Sequence, residues 1–215
     1  MGARNILPRF FPNMTAHLFF VRHGESLWNS TGQWTGWTDI SLSLKGMEEA
    51  KATGAKLTGH EIHSAHTSLL KRTHETLAGI EEAYGKKIPA RQSRELNERH
   101  YGVYTGKNKW QIKEEIGDEA FTAIRRGWDV PIPDGETLKA VHDRAVPYYK
   151  REILPELAAG KNVLVVGHGN TIRALMKHIE NIHENDVASV EVATGEIITY
   201  KMEPHGMVRM HKKKE

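Results

Sequence analysis

The sequence predicts an α/β fold: a mostly parallel central sheet with helices on both faces. Three observations carry this. Short β-rich apolar runs alternate with longer stretches of helical periodicity. The two strongest runs, HLFFV at 17–21 and NVLVVGH at 162–168, are apolar throughout, as strands covered on both faces are. Both runs end in histidine-glycine clusters, Arg22-His23-Gly24 and Gly167-His168-Gly169-Asn170. Open α/β sheets bind ligands beyond the carboxyl ends of their strands. If the two strands are neighbours, the two histidines face each other across one crevice.

The remaining elements follow in order. Residues 44–57 have Leu44, Met47, Ala50, Ala55 and Leu57 as an apolar face, with Ser43 placed to cap a helix. HSAHTS at 63–68 suits a short strand. Residues 69–85 suit a helix with Leu69, Leu70, Thr73, Leu77, Ile80 and Tyr84 on one side and Gly85 as its stop; Thr67 and Ser68 precede it as candidate caps. A helix over 108–116 is followed by a longer one over 137–157, which Pro147 should kink or split. After the strand at 162–168, a helical stretch runs over 170–182. SVEVA at 189–193 and IITYK at 197–201 suit closing strands around a turn at Thr194-Gly195.

The chain has 215 residues, 39% hydrophobic and 27% charged, an ordinary globular balance. No apolar run approaches the ~18 residues a membrane span needs. The absence of cysteine excludes disulfides, thiol catalysis and thiolate metal sites. A net charge of +3 is too small to argue for nucleic acid. There is no His-Glu-x-x-His, no Asp-rich loop and no phosphate loop ending in Gly-Lys-Ser/Thr, so neither a metal nor a nucleotide site is expected. Residues 1–13 read as a disordered N-terminal extension before Met14. Pro8, Arg9 and Pro12 interrupt any signal-peptide core, and Ile6 stands where myristoylation wants Ser or Thr. Residues 14–215 read as one catalytic α/β domain, whose basic end, HGMVRMHKKKE, is poor in apolar periodicity. Lys212–Lys214 are expected to form a mobile tail.

Four segments carry chemistry. In VRHGESLWN (21–29) a neutral imidazole, His23, follows a buried strand as a competent nucleophile, with Arg22 supplying donors for phosphate and Gly24 permitting close approach. His168 opens a helix whose free N–H groups suit an anion, and in protonated form it could share the charge of a phosphoryl oxygen. Arg72 lies beside another helix start. Glu98 sits among Arg99, His100 and Tyr101; bound phosphates would favour its protonated form, so that it could exchange protons near neutrality. Lys109 and the pair Arg125-Arg126 complete a set of cations suited to a substrate with several negative charges.

These segments together resemble the histidine phosphatase superfamily, whose signature is the Arg-His-Gly at 22–24. They are most similar to its cofactor-dependent phosphoglycerate mutase branch, through VRHGESLWN, TGWTDISLSLKG (35–46), TSLLKRT (67–73), LNERHYG (96–102), RRGWDVPIPDGE (125–136) and GHGNTIRAL (167–175). The resemblance runs from about residue 17 to about residue 201.

It implies a cytoplasmic isomerase of glycolysis and gluconeogenesis that interconverts 3-phosphoglycerate and 2-phosphoglycerate, with 2,3-bisphosphoglycerate as cofactor and no metal. By this resemblance His23 becomes the phosphohistidine. Arg22, Arg72 and His168 surround the phosphate, assisted by Asn29 and the Gly169 backbone. Glu98 is the general acid and base. Thr35, Gly36, Arg99, Tyr101, Lys109, Arg125, Arg126 and Asn170 hold the rest of the substrate. RRGWDVPIP passes directly into DGETL, a shorter connection than many relatives carry, which bears on subunit contacts; a homodimer or homotetramer is expected. The partner is a small phosphorylated anion, with no nucleic acid and no membrane. Two other readings compete. One is a phosphatase of the same superfamily, which would pass the phosphoryl group from His23 to water. The other is a non-catalytic anion-binding module, which could dispense with His23.

Overall fold

Residues 16–210 are described by a computed structural model. The extension expected at 1–13 and the lysines at 212–214 lie outside the described residues. Among the described residues there are six strands: β1 (His17–Arg22), β2 (Ser64–Thr67), β3 (Ala90–Gln92), β4 (Val163–Gly167), β5 (Ile197–Glu203) and β6 (Gly206–Met210). They form one sheet in the order β3-β2-β4-β1-β5-β6. The first four in sequence are mutually parallel, and β5 and β6 add an antiparallel edge beside β1. The helices are α1 (Leu27–Ser30), α2 (Leu44–Leu57), α3 (Lys71–Tyr84), α4 (Lys109–Ile116), α5 (Asp118–Arg126), α6 (Leu138–Tyr148), α7 (Leu154–Ala158) and α8 (Gly169–Ile179).

Side chains leave the two central strands toward opposite faces, and both faces are covered. Leu18, Phe20, Val163 and Val165 pack with Ala145, Leu157, Ile172 and Leu175 from α6, α7 and α8. Phe19, Val21, Leu164 and Val166 pack with Leu57, Leu77 and Ile80 from α2 and α3. Each such buried aliphatic or aromatic side chain contributes about 1.5–3 kcal/mol. This explains why β1 and β4 are apolar without alternation.

Four local expectations need correction. SVEVA forms no strand: Val187–Ser189 is a short 3-10 turn, and 190–193 is irregular. The edge of β1 that it would have occupied is taken by β5, with Val21 opposite Ile197. Gly206–Met210, read as part of an unpatterned basic tail, pairs with β5 as β6. β3 has no counterpart among the expected elements, because ARQ is short and wholly exposed and carries no hydrophobic period. The buried face of α2 is Gly46, Ala50, Thr53, Gly54 and Leu57, while Leu44 and Met47 are exposed. A Cβ on Gly54 would lie 2.3 Å from the Ile80 carbonyl oxygen, and one on Gly79 would lie 2.8 Å from Ala50 Cβ. Small residues therefore bring α2 and α3 together closely, and the larger ones turn outward. Other expectations hold: Ser43 caps α2, Gly85 ends α3 in the left-handed region, and Pro147 is followed by a π-helical turn at Tyr149–Ile153 before α7.

One contact fixes the end of β1 against α2. A Cβ on Gly24 would lie 2.2 Å from the Gly46 carbonyl oxygen, and a Cβ on Gly46 would lie 2.1 Å from that of Glu25. Neither backbone can yield without moving residues 22–25. Gly24→Ala should cost about 3 kcal/mol or more. Calorimetry should accordingly find Tm lowered by roughly 10 °C.

Candidate active site

The β1–β4 register builds the centre of the site. Arg22 lies opposite Gly167, and the His23 N–H donates to the Gly167 carbonyl at 3.0 Å. His23 and His168, the next residues along each chain, therefore meet with ring centroids 5.0 Å apart, edge to face. His23 Nδ1 lies 2.7 Å from the Gly24 carbonyl oxygen. A carbonyl only accepts, so Nδ1 carries the proton and Nε2 keeps its lone pair. Burial, and after it the charges of Arg72 and Arg22, hold the His23 imidazole well below the usual histidine range. Burial and Arg72 act likewise on His168. Burial thus favours the neutral form of both rings, and a bound anion would oppose this at His168 by favouring its protonated form. His168 Nε2 meets Ser68 Oγ at 2.8 Å, and its Nδ1 is buried without a partner.

Arg72, the second residue of α3, is fully buried. It donates to the carbonyls of Thr38 at 3.1 Å and Gly36 at 2.8 Å. Gly36 stands at φ 54°, in the left-handed region, which turns its carbonyl under the guanidinium. Burial pushes Arg72 down to about 10, so it remains a cation at neutral pH. Arg22 donates to the Val192 carbonyl at 2.6 Å. Asn29, Thr35 and Gly36 line the same cavity. From α4 and α5, Lys109, Arg125 and Arg126 line it too. Burial first, then Arg125 and Arg22, push Lys109 down to about 8.

Glu98 is held rigidly. Its Oε1 accepts from the N–H groups of Arg99 at 2.8 Å and Asn170 at 3.2 Å. Arg144 secures its main chain, donating to the carbonyls of Glu95 at 2.7 Å, Asn97 at 2.8 Å and Glu98 at 2.9 Å. The same guanidinium pairs with Glu136, which also accepts from the His100 N–H. Trp37 Nε1 donates to the Glu98 carbonyl as well. A Cβ on Gly169 would lie 3.6 Å from Arg22 Cζ and 3.9 Å from Glu98 Oε2, so the acid and the arginine flank one opening. On α8, Asn170 donates to the Tyr101 hydroxyl at 2.8 Å, and its carbonyl accepts from Arg173 at 3.0 Å. Tyr101 Oη is thereby an acceptor there, and its own proton is left for another partner.

The expected residues line this cavity except His168, which is fully buried behind it against His23, and Arg99. Its guanidinium is fully buried behind the wall, donates to the Ile124 carbonyl and lies over the Tyr101 ring at 4.9 Å. Ser68, expected as a helix cap, instead serves His168; α3 starts at Lys71, and its N-cap, Leu70, makes no side-chain cap bond. Trp34, Arg173, Glu191 and Val192 also line the cavity and were not anticipated. Arg173 had a legible signal, since it stands three residues after Asn170 on one helix face. The other three had none. Six buried polar atoms around the cavity lack a protein partner: Arg22 Nε, Trp34 Nε1, Thr35 Oγ1, Arg72 Nε, His168 Nδ1 and Arg173 Nε. Nearly all of them are donors beside desolvated cations. Such groups are costly unless an anion completes them. A neutral imidazole with an unprotonated Nε2, fixed cations around it and one anchored carboxylate can perform phosphoryl transfer to and from a hydroxyl.

Two outcomes follow. Lys109 is cationic below about 8 and neutral above it, so affinity for anionic ligands should fall several-fold as pH rises from about 7 to 9. Sulfate titration should detect this, and Lys109→Arg should flatten the profile. Arg144→Met frees the Glu98 segment, and turnover that needs Glu98 should drop by about 10–100-fold. Steady-state kinetics should place that loss in kcat more than in KM.

Comparison with known proteins places the chain in a family. Residues 18–212 match the family model described as histidine phosphatase superfamily (branch 1). A 2,3-bisphosphoglycerate-dependent phosphoglycerate mutase of Thermobifida fusca is 41% identical over 213 residues, covering 86% of this chain and 86% of that one. Among solved structures, Bacillus stearothermophilus YhfR superposes with TM-score 0.79 at 26% identity, covering 90% of this chain and 95% of that one. A mycobacterial glucosyl-3-phosphoglycerate phosphatase superposes with TM-score 0.76 at 23% identity, over 86% and 92% of the two chains, a likeness of fold. The chain belongs to the histidine phosphatase superfamily, branch 1.

Proposed function

We propose that this protein interconverts 3-phosphoglycerate and 2-phosphoglycerate through a phosphohistidine at His23, primed by 2,3-bisphosphoglycerate. The observation that carries the reading is the pairing of an unprotonated His23 Nε2 with a second group of cations, Lys109, Arg125 and Arg126, lining the same cavity. A hydrolase needs the first and need not hold a bisphosphate in two orientations. A mutase must hold a molecule charged at both ends. The name of the Thermobifida fusca relative supports the same substrate and cofactor.

The residues fit that cofactor, since the unpartnered donors of Arg22, Arg72, Trp34 and Arg173 face one cavity with several cations. Arg22, Arg72 and His168 would hold the phosphoryl group at His23, and Lys109, Arg125, Arg126 and Tyr101 the groups at the other end. When bound, the bisphosphate supplies the phosphoryl group that primes His23. In transfer to substrate, the substrate hydroxyl oxygen attacks phosphorus in line. The P–N bond to Nε2 breaks, the P–O bond forms, and Glu98 takes the hydroxyl proton. Return of the other phosphoryl group to Nε2 reverses these movements, with Glu98 giving the proton back. Arg22 and Arg72 are fixed by carbonyls before the substrate arrives, so little reorganisation is needed as charge spreads over the phosphoryl oxygens.

A coupled assay with 3-phosphoglycerate and trace bisphosphate should yield 2-phosphoglycerate. Release of inorganic phosphate without it would make the protein a phosphatase instead. His23→Ala should abolish an acid-labile, base-stable phosphoprotein formed from labelled bisphosphoglycerate, and surviving turnover would place the nucleophile elsewhere. Glu98→Gln should lower the rate by about 10²–10⁴. A near-normal rate would make that carboxylate structural.

A further inference from the structure

Among the residues lining the cavity, two are acids, Glu98 and Glu191. They are held in opposite ways. Glu98 is nearly buried and tied to two backbone N–H groups. Glu191 is 70% exposed and pairs with one guanidinium, that of Arg126, which is itself 20% exposed. Burial and then Arg126 push Arg125 down, and the charge of Glu191 partly offsets this. An acid facing the cations of an anion site opposes the ligand.

The backbone around Glu191 is fixed on both sides. The Val187 carbonyl accepts from Arg173 at 2.7 Å. The Val192 carbonyl accepts from Arg22 at 2.6 Å. The Gly195 N–H donates to the Arg22 carbonyl at 3.1 Å, and the Gly195 carbonyl accepts from Thr53 at 3.1 Å. The segment cannot swing away as a body, but the exposed carboxylate can rotate off Arg126. Exposed ion pairs of this kind are weak and screened by salt.

We propose that Glu191 is a specificity-determining residue, a resident counter-anion on Arg126 that the distal negative group of a ligand must displace. A ligand charged only at the His23 end leaves the Glu191–Arg126 pair intact. A ligand with a second anionic group at Arg125 and Arg126 must compete with the carboxylate. Glu191 therefore loosens the hold on the distal group without touching the phosphoryl end. This rests on the proposed reaction only in assigning the phosphoryl group to the His23 end.

The test is binding, which needs no turnover. Inorganic phosphate, with one anionic end, and 2-phosphoglycolate, with phosphate and carboxylate ends, are titrated calorimetrically into the wild-type protein, Glu191→Gln and Glu191→Asp. Glu191→Gln should bind phosphoglycolate about 3–5-fold more tightly at low salt, the upper part of the scale for one exposed charge pair. Its affinity for inorganic phosphate should stay within roughly twofold, and the gain should shrink at about 0.5 M salt. Glu191→Asp, which keeps the charge, should match wild type. Unchanged or weaker phosphoglycolate binding by Glu191→Gln would overturn the proposal, as would an equal gain for inorganic phosphate. A wild-type protein that hydrolyses phosphate esters without forming 2-phosphoglycerate would overturn the proposed reaction alone, and the selective gain for phosphoglycolate would still support the role of Glu191.

Discussion

The parallel pairing of β1 with β4 is the constraint on which the rest depends. With Arg22 opposite Gly167, both strands end at one level, and the residue after each is a histidine. A slip of one residue would turn His23 and His168 to unlike faces and exchange the two hydrophobic sets between the two sides of the sheet. Register and active-site geometry are therefore one property. The burial of Phe19, Phe20, Leu164 and Val165 that stabilises the sheet also holds the two imidazoles 5.0 Å apart.

Around that pair the structure concentrates desolvated positive charge. Arg72 and Arg173 are both buried enough to be pushed down to about 10, and Lys109 to about 8. Carbonyls of Gly36, Thr38, Val187 and Val192 orient the guanidiniums but cannot neutralise them. A cavity of this kind is stabilised by an anion and strained without one. Burial first, and these charges after it, hold both imidazoles below the usual histidine range.

The anchoring of Glu98 shows how distant parts of the chain share one task. The carboxylate lies in the segment after β3, its main chain is held by Arg144 on α6, and its Oε1 is met by the first turn of α8. No local sequence pattern links these elements. The short connection between α5 and α6 contributes too, because Glu136 near its end pairs with Arg144.

The sequence by itself determined the strands β1, β2, β4 and β5, most helices and the core of the site. Continuous apolar runs ending in Arg-His-Gly or Gly-His-Gly-Asn are strong local signals, and the motifs place most of the expected residues at the cavity, although Arg99 within LNERHYG turns away from it. Tertiary structure alone decided what depended on partners. β3 and β6 are strands because β2 and β5 offer free edges, and 190–193 is a loop because β5 had taken the edge beside β1. Arg99 faces inward because Ile124 and Tyr101 receive it, and Glu191 faces the cavity because Arg173, Arg22 and Thr53 pin the chain around it. Hydrophobic period and motif report what a residue prefers within one segment. Edge pairing and the direction of a long charged side chain are set by segments up to a hundred residues or more away, and no local pattern encodes them.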